Sequence, residues 1–132
     1  MTLQLTVLGW MLVLAIVQIL LPAFMRNGEL GVAYQAGPRD GPAPPPGLIT
    51  ARLQRAQANL FETLPLFAIG ILIANLAHRD GALTAWGAIL YAVARVVFVP
   101  IYAFGVPLVR SLVFVVSMIG LGLILFAILK PA

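Results

Sequence analysis

The residues best equipped for chemistry in this sequence lie in "RLQRAQANLFETLP", residues 52–65. At about 100° per residue on a helix, Arg52, Arg55, Asn59 and Glu62 fall within an arc of about 80°. Gln57 projects from another face. The stripe descends about 15 Å from Arg52 to Glu62. Two guanidinium forks suit carboxylates, which they grip bidentately. A carboxylate suits an ammonium group, and an amide can serve either. Such a stripe, with more cations than anions, is suited to an anionic ligand.

A second set lies in "YAVARVVFVPIY", residues 91–102. Tyr91, Arg95, Phe98 and Tyr102 recur at helical spacing and share one face. Arg95 stands well inside an apolar run. A central arginine in a membrane helix costs about 2.5–3.5 kcal/mol unless paired or solvated. Glu62 is the one acidic residue within an apolar run, so it is the expected partner of Arg95, Arg55 or Arg52. One carboxylate cannot neutralise three guanidiniums. The surplus calls for water, lipid headgroups or an anionic ligand. Plainer roles exist for each group: Arg52 and Arg55 can snorkel into headgroups, Glu62–Arg95 can be a structural pair, and Asn59 can bridge helices.

The elements that position these residues follow from composition. Hydrophobic residues make up 62% of the 132 and charged residues 9%, and mean hydropathy is +1.07. A soluble domain carries about 25% charged residues. The fold class is therefore an all-α integral membrane protein, with residues 1–132 a single domain. Four apolar runs, about 3–25, 50–77, 82–104 and 108–129, each reach the roughly 20 residues that a span requires. Residues 26–49 form a loop whose Gly and Pro content opposes regular helix and whose "PAPPP" favours an extended path. "HRDG" and "FGVP" are tight turns, so the last three runs should pack up and down as a bundle. Arg26, Arg39, Arg52, Arg55 and Arg110 gather at one end; Arg79 and Lys130 lie at the other. The positive-inside rule places the first loop in the cytoplasm and both termini outside. The start "MTLQLTVLGW" lacks a basic n-region, which predicts a retained first helix instead of a cleaved signal peptide.

Several functions are excluded. The net charge of +4 is too small and dispersed for nucleic-acid binding. There is no cysteine, and His78 is the sole histidine, so no metal site is expected. No Ser-His-Asp set, Walker motif or dinucleotide loop occurs. Gln18 and Asn75 read as interhelical hydrogen bonders. Ser117, Gly120 and Gly122 read as close-packing positions.

The stretch 52–67, "RLQRAQANLFETLPLF", resembles the signature of the MAPEG family, membrane-associated proteins of eicosanoid and glutathione metabolism. The match falls on Arg52, Arg55, Ala56, Asn59, Glu62 and Pro65. The order of features also corresponds along nearly the whole chain, in a form similar to the family's bacterial branch. The resemblance implies a homotrimer of four-helix subunits in a bacterial inner membrane, binding glutathione as co-substrate between subunits. It implies glutathione contacts at Arg52, Arg55, Gln57, Asn59, Glu62, Arg95 and Tyr102. It assigns Arg110 to stabilising the glutathione thiolate, as the catalytic residue. Phe98 and Thr63 stand where the family's leukotriene synthases carry tyrosines.

Three activities compete. The first is a glutathione transferase or peroxidase acting on hydrophobic electrophiles or lipid hydroperoxides. The second is a non-catalytic lipid-binding or scaffold trimer that keeps the polar stripe for assembly. The third is a small transporter or channel. It is disfavoured because the last run has no polar residue deep in the span except Ser117.

Overall fold

A computed structural model describes residues 1–131. The helices are α1 (Leu3–Leu30), α2 (Val32–Ala36), α3 (Leu48–Leu76), α4 (Ala82–Ala103) and α5 (Pro107–Leu129). The four long helices are each apolar enough to cross a membrane. With 22 to 29 residues apiece they exceed a span's minimum. The chain is a multi-pass integral membrane protein. The second, third and fourth apolar runs of the sequence are α3, α4 and α5.

Local chemistry sets the ends. Thr2 caps α1 by accepting a hydrogen bond from the Leu5 amide at 3.2 Å. Gly31, at φ +90°, stops it. Pro107 begins α5, where a missing N–H removes no helical bond.

The loop expected over 26–49 is shorter than its composition suggests. Helix α1 continues to Leu30, and α2 adds another turn before the prolines begin. No proline precedes position 38 in this segment, and Arg26 pairs with Glu29 across one turn at 2.9 Å. Glu29 then ties the loop to α3. Its carboxylate accepts from Thr50 Oγ1 at 2.6 Å and from the Gly47 amide at 3.2 Å. Arg26 also donates to the Pro44 carbonyl.

The opposite end is fastened differently. Gln4 Nε2 lies 3.0 Å from each of the Asp80 carbonyl, the Gly81 carbonyl and Thr84 Oγ1. Arg79 donates to the carbonyls of Ala127, Ile128 and Lys130, closing the C-terminus of α5. The expected Asn75 bridge between helices is replaced by a 3.4 Å bond to Asp80 in the adjoining turn. That turn brings the two side chains together locally, so Asn75 does not reach a neighbouring helix.

Packing is closest between α4 and α5. A Cβ on Gly87 would lie 2.7 Å from the Gly120 carbonyl oxygen, and a Cβ on Gly120 would lie 2.7 Å from that of Gly87. Lipid supplies no hydrophobic drive between helices, so such backbone contact supports association. Gly122, by contrast, has no atom within 4 Å of a built Cβ and is not a packing glycine. The core joins all four long helices around Met11, Leu60, Phe67, Tyr91 and Ile124. Phe67 and Tyr91 stack with centroids 4.2 Å apart.

Candidate functional site

Each functional side chain reaches its place through helical phase. On α3, Ala56, Leu60 and Thr63 face the core, which turns Arg55, Asn59 and Glu62 toward the flank shared with α4 and α5. On α4 the buried positions Tyr91, Arg95 and Phe98 continue to the half-buried Tyr102. Arg110 and Ser111 follow from the first turn of α5.

These three helices enclose a cavity of about 510 Å³ lined by Arg55, Asn59, Glu62, Phe98, Tyr102 and Arg110, with Ser111 and Phe114 on its α5 wall. Its size falls within the range of about 300–1,000 Å³ common for small-ligand clefts. Tyr102 organises the mouth. Its hydroxyl accepts from Arg55 Nε at 3.2 Å. The Arg110 guanidinium lies 5.0 Å from its ring centroid and the Arg55 guanidinium 5.8 Å. One aromatic ring thus lies within reach of two cations.

Arg52 sits beside the mouth in a smaller recess shared with Arg55, Tyr102, Gly105 and Arg110. Its Nη1 donates to the Ala103 carbonyl at 3.2 Å. Gly105, at φ +72°, permits this approach: a Cβ there would lie 2.7 Å from the Arg52 guanidinium carbon. Glycine adopts that backbone conformation without steric cost.

Arg95 is fully buried. Its Nη1 donates to Asn59 Oδ1 at 2.7 Å, and its guanidinium lies 4.4 Å from the Phe98 centroid. The expected ion pair with Glu62 does not form; the sole salt bridge among the described residues is Arg26–Glu29. The reason is register. Asn59 lies opposite Arg95, whereas Glu62 is one turn deeper and exposed at the cavity wall. At that deeper level Thr63 Oγ1 and the Tyr91 hydroxyl share a 2.8 Å hydrogen bond.

Of the sequence-predicted residues, Arg55, Asn59, Glu62, Tyr102 and Arg110 come together at one cavity. Arg52 borders it and Arg95 supports Asn59 from behind. Gln57 does not join them. It lines a separate cleft of about 380 Å³ with Arg26, Tyr34 and Arg39. Its phase on α3 turns it away from the stripe. Ser111 is an additional polar lining residue, for which adjacency to Arg110 is the only sequence signal. Among the described residues no group of His, Cys, Asp and Glu side chains is arranged to hold a metal ion.

The arrangement is an electropositive pocket with one carboxylate on its wall, at the bundle end that carries the long loop. The chain matches the model of the MAPEG family over residues 7–130. No curated protein matches it, and neither does any solved structure.

Proposed function

The chain belongs to the MAPEG family, and from that premise we propose that it is a membrane-embedded glutathione transferase or peroxidase acting on hydrophobic electrophiles or lipid hydroperoxides. Membership itself supports a membrane role in glutathione or eicosanoid metabolism. The observation that carries the finer reading is the convergence of Arg55 and Arg110 on Tyr102, with Glu62 lining the same cavity and in no salt bridge among the described residues.

The donor set fits glutathione, which has two carboxylates, one ammonium group and one thiol. Arg52 and Arg55 suit the carboxylates. Glu62, exposed and without an ion-pair partner, suits the ammonium. Asn59 and Tyr102 orient the backbone of the tripeptide. Arg110 lies beside the sulfur in this assignment, where a guanidinium favours the thiolate over the thiol. Bound glutathione supplies a sulfur nucleophile whose new bond to carbon forms as a leaving group departs, or, in the peroxidase case, two thiols give up two electrons and two protons to become a disulfide while the hydroperoxide O–O bond breaks to leave an alcohol and water.

Gln57 enters this assignment from a different surface. In a homotrimer its cleft would face a neighbouring subunit, so we assign its glutathione contact to the neighbour's ligand. Hydrophobic substrate arrives from the lipid. The orientation we assign has the first loop in the cytoplasm of a bacterial cell, with the protein in the inner membrane.

The test is calorimetric titration of glutathione into detergent-solubilised wild type and Arg55→Ala. Removing a charged hydrogen-bond partner forfeits about 1.5–3 kcal/mol, or about 10- to 150-fold in Kd. Equal affinity in both proteins, or none in either, overturns the proposal.

A further inference from the structure

The buried side-chain polar atoms that lack a hydrogen-bond partner among the described residues belong to two residues. They are Gln18 Nε2 and Oε1, and Arg95 Nε and Nη2. Gln18 is 3% exposed and Arg95 0%. The bridging bond expected for Gln18 is absent, because no polar group of the described residues stands within reach of it.

Two registers place these side chains within about one helical turn of each other. Helices α1 and α4 run parallel, and Gln4 bonds Thr84 near their starts. Carrying that register forward sets Gln18 level with Phe98, about 4.5 Å along the axis from Arg95. Helices α1 and α3 run antiparallel, and Glu29 bonds Thr50. That register sets Gln18 level with Phe61, about 3 Å along the axis from Asn59, and Asn59 accepts the hydrogen bond from Arg95. Phase agrees as well. Gln4, Met11, Ala15 and Gln18 form the buried face of α1. Met11 and Ala15 lie in the same core cluster as Tyr91. By the same register Met11 is level with Tyr91 and Ala15 with Arg95, so Gln18 lies on the buried face of α1 one turn beyond Arg95.

A buried amide and a buried guanidinium, each with unused hydrogen-bonding atoms and within about one turn of each other, are the circumstances in which protein interiors hold ordered water. Water there accepts from the Arg95 N–H groups and donates to the Gln18 carbonyl oxygen. It also lowers the cost of a charge that has no ion-pair partner among the described residues. We propose that Gln18 and Arg95 together hold buried water between α1 and α4, and that Gln18, acting through this water, is a positioning residue for Arg95 and hence for Asn59 at the cavity wall. The water bridge stands on the registers alone; the positioning role rests on the glutathione reading.

The test is a double-mutant cycle on the thermal unfolding midpoint in detergent, using Gln18→Leu, Arg95→Met and the double variant. Linked residues are non-additive, whereas unlinked ones add. The expected result is a double variant that loses clearly less than the sum of the single losses; additive losses overturn the bridge. Where Arg95→Met yields no folded protein, Gln18→Glu decides. It keeps the acceptor, so it should recover much of the midpoint lost in Gln18→Leu, and no recovery overturns the bridge. For the positioning role, Gln18→Leu should weaken glutathione binding several-fold and Gln18→Glu should restore part of it. Unchanged affinity in Gln18→Leu overturns that role. A wild type that binds no glutathione defeats the functional reading and with it the positioning role, while the thermal cycle still decides the bridge.

Discussion

At the scale of the residue, Tyr102 separates two contributions that its neighbours share. Tyr102→Phe removes the hydroxyl that accepts from Arg55 and keeps the ring beneath Arg110. The loss expected is about 0.5–1.5 kcal/mol, or about 2- to 13-fold in glutathione Kd. Tyr102→Ala, which removes the ring as well, should weaken binding further, and titration of both variants checks the order. Arg110→Ala is expected to act on turnover: about 100-fold slower conjugation of chlorodinitrobenzene, comparable to losing one charge-stabilising donor from an active site. A rate within twofold of wild type would remove Arg110 from the chemistry. The stripe of Arg52, Arg55, Asn59 and Glu62 was legible because helical phase is a property of sequence alone. The partner of Arg95 was not. Whether Arg95 meets Asn59 or Glu62 depends on how far α3 has slid along α4, and that shift is fixed by packing around Phe67 and Tyr91. Phase also separated Gln57 from the stripe, and only the resemblance grouped it with the other contacts.

At the scale of the element, the glycines differ sharply in what they do. Gly120→Val should cost about 1–3 kcal/mol through overpacking at the α4–α5 crossing. Gly122→Ala meets nothing and should leave the unfolding midpoint unchanged or slightly raised. Comparable losses in both would show that Gly120 does not lie at the crossing. The loop anchor gives a second expectation. Glu29→Gln weakens the hold on Thr50, Gly47 and Arg26, so limited proteolysis should cut within residues 37–47 faster than in wild type. The long helices were legible from uninterrupted apolar runs. The helical part of 26–36 was not, because the prolines further on dominated the composition of the whole segment. The spacing of Arg26 and Glu29 was the overlooked local signal.

At the scale of the whole molecule, charge is divided unevenly between the two ends. Arg26, Arg39, Arg52, Arg55 and Arg110 occupy the end with the long loop, whereas Arg79 and Lys130 occupy the other. The absence of cysteine makes orientation directly testable. An impermeant maleimide applied to spheroplasts should label His78→Cys from outside and leave Arg39→Cys untouched until the cells are lysed. The reverse pattern would invert the topology drawn from the positive-inside rule. The four-span architecture was legible from hydropathy. The antiparallel pairing of α4 with α5 was legible as well, from the short "FGVP" turn between them; the pairing of α1 with α3 was not, since the long segment joining them leaves the partner of α1 open.

The meeting of Gly87 with Gly120 also has a mechanical consequence. Where two backbones touch, there are no rotamers to rearrange, so α4 and α5 can neither slide nor separate without opening a void. They form one stiff lever that carries Tyr102 and Arg110 at its end. The packing between α3 and α5 is lighter: a Cβ on Gly70 would meet only the Ile124 methyl, at 3.0 Å, whereas α3 is hydrogen-bonded to α4 at Asn59, Thr63, Arg52 and Arg55. A solute entering the cavity therefore meets Tyr102 and Arg110 on a stiff support, and the room it needs has to come from side chains such as Arg55 and not from a parting of α4 and α5.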